Sequence, residues 1–307
     1  MLTYAVRRLF GAIPTLLLII TIAFFMIRVA PGGPFSLERP LPEQIMQNLL
    51  AIYNLDKPLG VQYLLYLQNL LQGNFGPSFF YPGRTVSDII LTGLPISIQN
   101  GLLAIFIAVF LGTVLGSIAA LKQNQATDYA VMTGAMVGIT IPNFVVAPVL
   151  SLIFGVYLSW LPTGGWGDGA LQYRVLPVIA LALPQLAIVA RLTRGSMVEV
   201  LRSNHVRTAR AKGLPARMVL FRHALKGAIL PVVSYLGPAT AAVLTGSVVI
   251  ERIFGIPGVG RYFVEGALNR DYTLVMGTVV LFAVFIVIFN LIVDMLYGLL
   301  DPKVRYD

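Results

Sequence analysis

The sequence predicts an all-α integral membrane protein with six transmembrane helices and both chain ends in the cytoplasm. Three observations carry this. Of 307 residues, 57% are hydrophobic and 11% are charged, against about 25% charged in soluble domains. Long apolar runs recur, separated by polar or turn-rich segments. Nine of the 22 Lys and Arg residues crowd into the stretch 191–226, with both histidines, between two of those runs. The net charge of +9 reads as the basic excess of a cytoplasmic membrane face, not as a nucleic-acid footprint. With no cysteine, disulfides, thiol catalysis and thiolate metal sites are excluded.

The first span is expected at about 9–30, since no charge intervenes between Arg8 and Arg28. That apolar run is longer than a signal-peptide core of about 7–15 residues, and no A-x-A site follows, so it reads as a retained helix. Pro14 falls in its first turns, where a missing N–H is tolerated. Residues 31–94 are turn-rich (PGGP, RPLPEQ, DKPLG, GNFGPSF, PGRT), with helical spacing only over Val61 to Leu71. They are expected to form an exterior cap of short helices and loops.

The second span is expected at about 95–121, and the third at 129–158 with Pro142 and Pro148 inside it. A glycine-rich turn follows, whose Trp160, Trp166 and Tyr173 suit a membrane–water boundary. The fourth span, about 175–192, has only 16 uncharged residues between Arg174 and Arg191. At 1.5 Å per residue that falls short of a hydrocarbon thickness of roughly 30 Å, so the flanking arginines are expected to snorkel. The fifth and sixth spans are expected at about 227–250 and 273–298. The inside then holds Arg7, Arg8, Lys122, the nine of the loop, Lys303 and Arg305; the basic residues outside are offset by acids. That bias favours both ends inside. Gly112-x-x-x-Gly116 and Gly134-x-x-x-Gly138 mark either close helix approach or chance in a glycine-rich chain.

The chain lacks the groups for catalysis. No histidine falls within an expected span, H-E-x-x-H is absent, and the chain contains no Gly-Lys dipeptide and so no Walker A loop. No catalytic residue, metal site or bound cofactor is expected. The one ionisable residue inside a span, Asp294, lies near a helix end and is expected to be a structural partner. Gln99, Asn100, Asn143, Gln185 and Asn290 either line a path or bond between helices. Prolines within spans require neighbours or a wet cavity to satisfy backbone groups, which favours a translocation path over an inert anchor. A polytopic membrane enzyme is the alternative from a different class.

Within 191–226, Met197, Val198, Val200, Leu201, Val206 and Ala209 recur at helical spacing. Gly213-Leu214-Pro215 then breaks the pattern, and Met218, Val219, Leu220 and Leu225 begin a second helix. Such a basic elbow could lie on anionic lipid or seat in a partner's groove; the physics leaves both open.

RTARAKGLP at 207–215, followed by HALK and AILP, resembles the cytoplasmic signature loop of ABC importer permeases in their peptide and nickel group. ERIFGIPGVGR at 251–261, with Glu251, Phe254, Pro257, Gly258 and Gly260, is similar to that group's exterior motif. GNFGPSF and the ending DPKVRY fit as well. In this order the motifs resemble the B-type permeases of bacterial oligopeptide importers, and dipeptide and nickel permeases are the near alternatives. The resemblance implies an ATPase-coupling role for Arg207, Thr208, Ala209, Arg210, Ala211, Lys212, Gly213, Leu214 and Pro215. It also implies a second homologous permease, two ATP-binding subunits carrying ATP and Mg, a periplasmic or lipid-anchored peptide-binding protein, and residence in the bacterial inner membrane. Where the wider family often has Glu-Ala-Ala, this chain reads Arg207-Thr208-Ala209, so no glutamate contact carries over. The segments 31–95 and 251–272 are expected to form the surface that meets the binding protein.

Overall fold

The computed structural model describes residues 2–29, 33 and 42–300. Residues 30–32 and 34–41 of the expected first span and cap, and the DPKVRY ending, lie outside the described residues. Five described helices are long and apolar enough to cross a membrane, and the count reaches six where a bent pair is taken as one span. They are α1 (Leu2–Val29), α4 (Val86–Leu121), the pair α5 (Ala126–Thr140) and α6 (Asn143–Leu150, continued by π-helical turns over Ser151–Tyr157), α7 (Leu171–Leu201), α11 (Leu230–Phe254) and α13 (Tyr272–Leu300). Between them lie α2 (Glu43–Ile52) and α3 (Leu59–Leu71) in the cap and α8 (Asn204–Ala211) in the basic loop. The loop continues through α9 (Ala216–Met218), π-helical turns Val219–Ala224 and α10 (Leu225–Ala228), and α12 (Val259–Leu268) precedes the last helix.

α4 and α7 form the central pair. Ala104, Ala108, Gly112, Gly116 and Ala120 recur every fourth residue on α4, and all are buried. A Cβ at Gly112 would lie 2.8 Å from the Leu186 carbonyl oxygen, and one at Gly116 would overlap the Ala190 carbonyl. The small ridge therefore lets two backbones touch, which is how helices associate where burial from water supplies little drive. The second pattern is only half used: a Cβ at Gly138 would lie 3.3 Å from Ala187 Cβ, while a Cβ at Gly134 meets open space.

Three expected boundaries need correction. α4 starts at Val86, not at Pro95, because Thr85 caps it. The Asp88 N–H donates to Thr85 Oγ1 (3.1 Å), and the Thr85 N–H donates to the Asp88 carboxylate (3.2 Å), a reciprocal capping box. Pro95 lies inside the helix, and the cap ends before 86. The third span is not one helix: α5 and α6 meet at 103°, because Ile141, preceding Pro142, is extended at φ −83°, ψ 119°, as a residue before proline prefers.

The helix of the fourth span is not short, and Arg174, one of its two flanking arginines, does not snorkel. α7 runs 31 residues and takes Arg174, Arg191 and Arg194 into the helix. Arg174 Nε donates to Asn100 Oδ1 (2.9 Å) and its guanidinium lies 5.6 Å from the Trp166 ring centre. Arg194 grips the buried Asp128 with two bonds, of 2.6 and 2.7 Å. Each guanidinium has a protein partner, and Arg194 still keeps 28% of its side chain exposed.

The core around α4 and α7 is closed by Ile250, Phe254 and Ile256 from α11 and the turn after it. α1 packs on α13 through Ile20, Phe24, Met276 and Val280, with Tyr63, Tyr66 and Leu67 of α3 covering them. Outward-facing Phe106, Phe110 and Met136 are more than half exposed, a surface that only lipid or another protein can cover.

Candidate functional site

The basic loop folds as an elbow at one end of the bundle. α8 buries Val206 and Ala209 against Met197 of α7, Ala120 of α4, and Val219, Ala224 and Ala228. At its end the Gly213 N–H donates to the Arg210 carbonyl (3.0 Å) and the Leu214 N–H to the Ala209 carbonyl (3.4 Å). These are the two bonds of a Schellman closure, with glycine left-handed at φ 74°. Leu214 turns back onto the buried cluster, and Pro215 caps α9. One face of the elbow is therefore anchored. The other presents Arg207, Thr208, Arg210, Ala211, Lys212, Gly213 and Pro215 to the outside. Among the described residues, none of Arg207, Arg210 and Lys212 is in an ion pair. The nine residues expected to act together lie on one short, positively charged projection.

The elbow is braced from beneath. The Asp128 carboxylate that holds Arg194 also accepts the Asn124 N–H (2.9 Å), and Arg202 donates to Gln123 (3.2 Å). The short loop between α4 and α5 is thus fastened to α7 just before the elbow begins. Sequence reasoning missed Asp128; its place one turn into an apolar helix was the available signal.

Within the motif at 251–261, Arg252 and Ile253 are exposed, whereas Glu251, Phe254, Gly258 and Gly260 turn inward. All four are buried, and Pro257 is half-buried. The Glu251 carboxylate turns inward and accepts Ser97 Oγ (2.7 Å) and the Arg261 N–H (3.2 Å), while Ser97 Oγ accepts the Val259 N–H (2.9 Å). A side chain from the end of α11 therefore satisfies N–H groups at the start of α12 that no helix bond can reach. The glycines are required by this contact. A Cβ at Gly258 would overlap the carboxylate, and one at Gly260 would lie 2.5 Å from Val248 Cα. Phe254 packs in the main core, and its carbonyl accepts the Gly165 N–H (2.6 Å) from the aromatic turn.

The same end holds two further inward carboxylates that the sequence did not single out. Asp271, fully buried, caps α13 by accepting the Leu274 N–H (3.0 Å) and Thr273 Oγ1 (2.9 Å). Its other oxygen accepts Ser78 Oγ and the N–H groups of Phe79 and Phe80 (3.1 Å each). That carboxylate ties the cap to the last helix. An aspartate directly before an apolar run was a readable cap signal. Glu265 accepts the Tyr81 hydroxyl and pairs with Arg252 and Arg261 (2.8 Å each). Burial pushes its carboxyl up, but the bonds from Tyr81 and Arg261 and the two guanidinium charges outweigh this and hold it below the usual range. Burial, together with the bond to Glu265, pushes the Tyr81 phenol up.

The five polar residues weighed as path or helix contacts are not brought together. Gln99 is exposed on α4, and Asn143 is half-buried at the α5–α6 bend. Asn100 and Gln185 bond between helices, to Arg174 and to the Tyr235 hydroxyl (2.6 Å). Asn290 lines a cleft of about 350 Å³ between α1 and α13, near the Asp294–Arg8 ion pair.

The family model for the binding-protein-dependent transport system inner membrane component matches residues 112–306, and the model of that component's N-terminal region matches 1–99. The chain belongs to this family. The family is one of transport membrane components rather than enzymes. Relatives span the full length of this permease. It is 54% identical over 306 residues, all of both chains, to the oligopeptide transport system permease protein OppB of Escherichia coli K12. It is 51% identical, again over both whole chains, to OppB of Haemophilus influenzae. The dipeptide transport system permease protein DppB of Bacillus subtilis is 46% identical over 99% of this chain and 98% of its own. Among solved structures, an amino acid ABC transporter crystallised with histidines matches 71% of this chain and 95% of its own at TM-score 0.53 and 17% identity. That likeness shows the shared membrane fold.

Proposed function

We propose that this chain is one permease subunit of an ATP-driven importer and forms half of the path by which oligopeptides enter the bacterial cytoplasm. Its full-length 54% identity to oligopeptide permeases is the observation that carries the substrate class. The elbow supports the coupling role. Its inner face is fixed to α7 while its outer face carries positive charge that no described carboxylate pairs, so a partner that moves it would move the helix that packs on α4. A contact with two arrangements is what coupling between proteins needs. The partners are a second permease, two subunits that bind ATP and Mg, and an exterior peptide-binding protein. With the ends inside, the elbow faces the cytoplasm and the cap faces that binding protein.

Uptake of labelled peptides of two to six residues, into cells with and without the chain, tests this. Uptake lost for the longer peptides upon deletion, and restored by the chain together with co-purifying ATPase subunits, is expected. Loss confined to dipeptides would favour the second reading, a dipeptide permease, which the 46% identity to such a protein supports. Unchanged uptake of all lengths would end both.

A further inference from the structure

We propose that the cap contains a carboxylate-binding site centred on the guanidinium of Arg28. Where the end of α1 meets α2, α3 and the segment 74–79, a pocket of about 120 Å³ opens, lined by Arg28, Asn54, Gln62, Tyr66, Asn69 and Asn74 among others. No Asp or Glu among the described residues lines it.

Arg28 is held in place, and no carboxylate among the described residues neutralises it. Its guanidinium lies over the Phe24 ring, 3.8 Å from the centre, and its Nε donates to Gln62 Oε1 (2.8 Å). Gln62 is itself buried and fixed, its amide donating to the carbonyls of Lys57 (2.8 Å) and Leu55 (3.3 Å). Arg8, Arg194, Arg252 and Arg261 each have a carboxylate, whereas Arg28 has none among the described residues. Its two terminal nitrogens, the fork that grips a carboxylate through two parallel bonds, are left for a ligand.

A second donor waits beside it. The Tyr66 hydroxyl is buried with no hydrogen-bond partner among the described residues, an arrangement that costs free energy unless something occupies it. Asn74 accepts the Gly76 N–H through its oxygen (2.9 Å), which leaves its amide N–H groups as further donors. One fixed positive charge and several N–H or O–H donors, with no acidic side chain among the described lining residues, select a planar anion. The pocket is small beside ligand cavities of about 300–1,000 Å³, so only the carboxylate end of a larger molecule enters. This goes beyond the transport reading, and a free peptide terminus and a simple organic acid share the chemistry.

The absence of cysteine makes a direct assay available. Asn69→Cys, on the exposed pocket rim, places a single thiol beside the site. The rate of its modification by a maleimide is measured in the full chain in lipid nanodiscs, with acetate, trialanine or trialanine amide added. The acids should slow the reaction saturably and the amide should not. Arg28→Gln should weaken that protection by roughly tenfold or more, as expected for loss of a charged bond. Tyr66→Phe, which keeps the packed ring, should weaken it less. Protection by trialanine alone assigns the site to a peptide terminus, and protection by acetate as well assigns it to carboxylates in general. Equal protection by the amide, no protection by either acid, or protection unchanged in both variants overturns the site. The assay needs neither ATP nor partners, so its failure would leave peptide uptake standing, and the reverse holds too.

Discussion

Glu251 and Gly258 occupy each other's space: a single added carbon at 258 would fall within the Glu251 carboxylate. The contact lets the end of α11 cap the start of α12. Glu251→Ala removes an acceptor from buried N–H and O–H groups and should cost on the order of 2–4 kcal/mol. Gly258→Ala should cost a similar amount by pushing the carboxylate away. The double variant should cost less than the sum, since with Glu251 shortened the clash disappears. Thermal midpoints of the three variants in detergent check this; strict additivity would mean the two residues do not interact.

Gly116 and Gly134 belong to the same kind of pattern and should behave oppositely. Gly116→Ala drives a methyl into the Ala190 carbonyl and Thr193, and backbone cannot yield as a side-chain tip can. A loss of about 1–3 kcal/mol is expected, with α4 and α7 forced apart. Gly134→Ala meets open space and should leave the thermal midpoint unchanged or slightly raised.

Asp128 and Arg194 should fail asymmetrically. Arg194→Ala strands a carboxylate with 2% of its side chain exposed, and a cost of about 3 kcal/mol is expected, the low end for a buried pair because the arginine itself is partly exposed. Asp128→Asn leaves a cation that can still reach water and should cost less. The reverse order, read from thermal midpoints, would mean that the arginine rather than the acid is the buried partner.

The Tyr81–Glu265 bond has a pH window. Glu265 is held below its ordinary value of 4.5, so its contribution is present above that pH and is lost as pH falls through the folded value. Tyr81 is held above its ordinary value of 10.0, so its contribution is complete below that pH and is lost as pH rises further. Thermal stability should therefore plateau between about 4.5 and 10, as far as this pair governs it. Glu265→Gln should flatten the acid side and Tyr81→Phe the alkaline side. A midpoint that falls as steeply in acid for Glu265→Gln as for the parent chain would remove Glu265 from the acid limb.

The spans and the elbow were legible because each has a local cause. A run without charge must be lipid-solvated, and Gly213-Leu214-Pro215 must end a helix whatever lies around it. What the sequence could not show depended on partners far along the chain. Arg174 looks like a snorkelling end until Asn100 is placed beside it, and nothing local pairs Arg194 with Asp128. Nothing local in 251–261 reveals that Glu251 folds back onto the start of the next helix. The bend at Ile141 was readable from Pro142, but two prolines in one apolar run gave no ground for choosing which one breaks it.

Gly213 separates a folding role from a docking role. Its left-handed backbone closes the Schellman turn, and a Cβ there would meet nothing within 4 Å. Within this chain, then, the position has conformational demands and no packing demands. Asn adopts the left-handed conformation more readily than other non-glycine residues, so Gly213→Asn should cost a few tenths of a kcal/mol to about 1 kcal/mol of stability. If the elbow seats in a groove of the ATP-binding subunit, the side chain that the permease itself tolerates will meet that partner. Gly213→Asn and Gly213→Arg should then insert and remain folded, yet recover less ATPase on purification and show weaker peptide-stimulated ATP hydrolysis in reconstituted membranes. Gly213→Arg adds the larger side chain, and its defect should be the greater. Because the open space around Gly213 removes an intramolecular explanation, a folded variant with normal ATPase recovery and normal stimulation would take this residue out of the contact altogether.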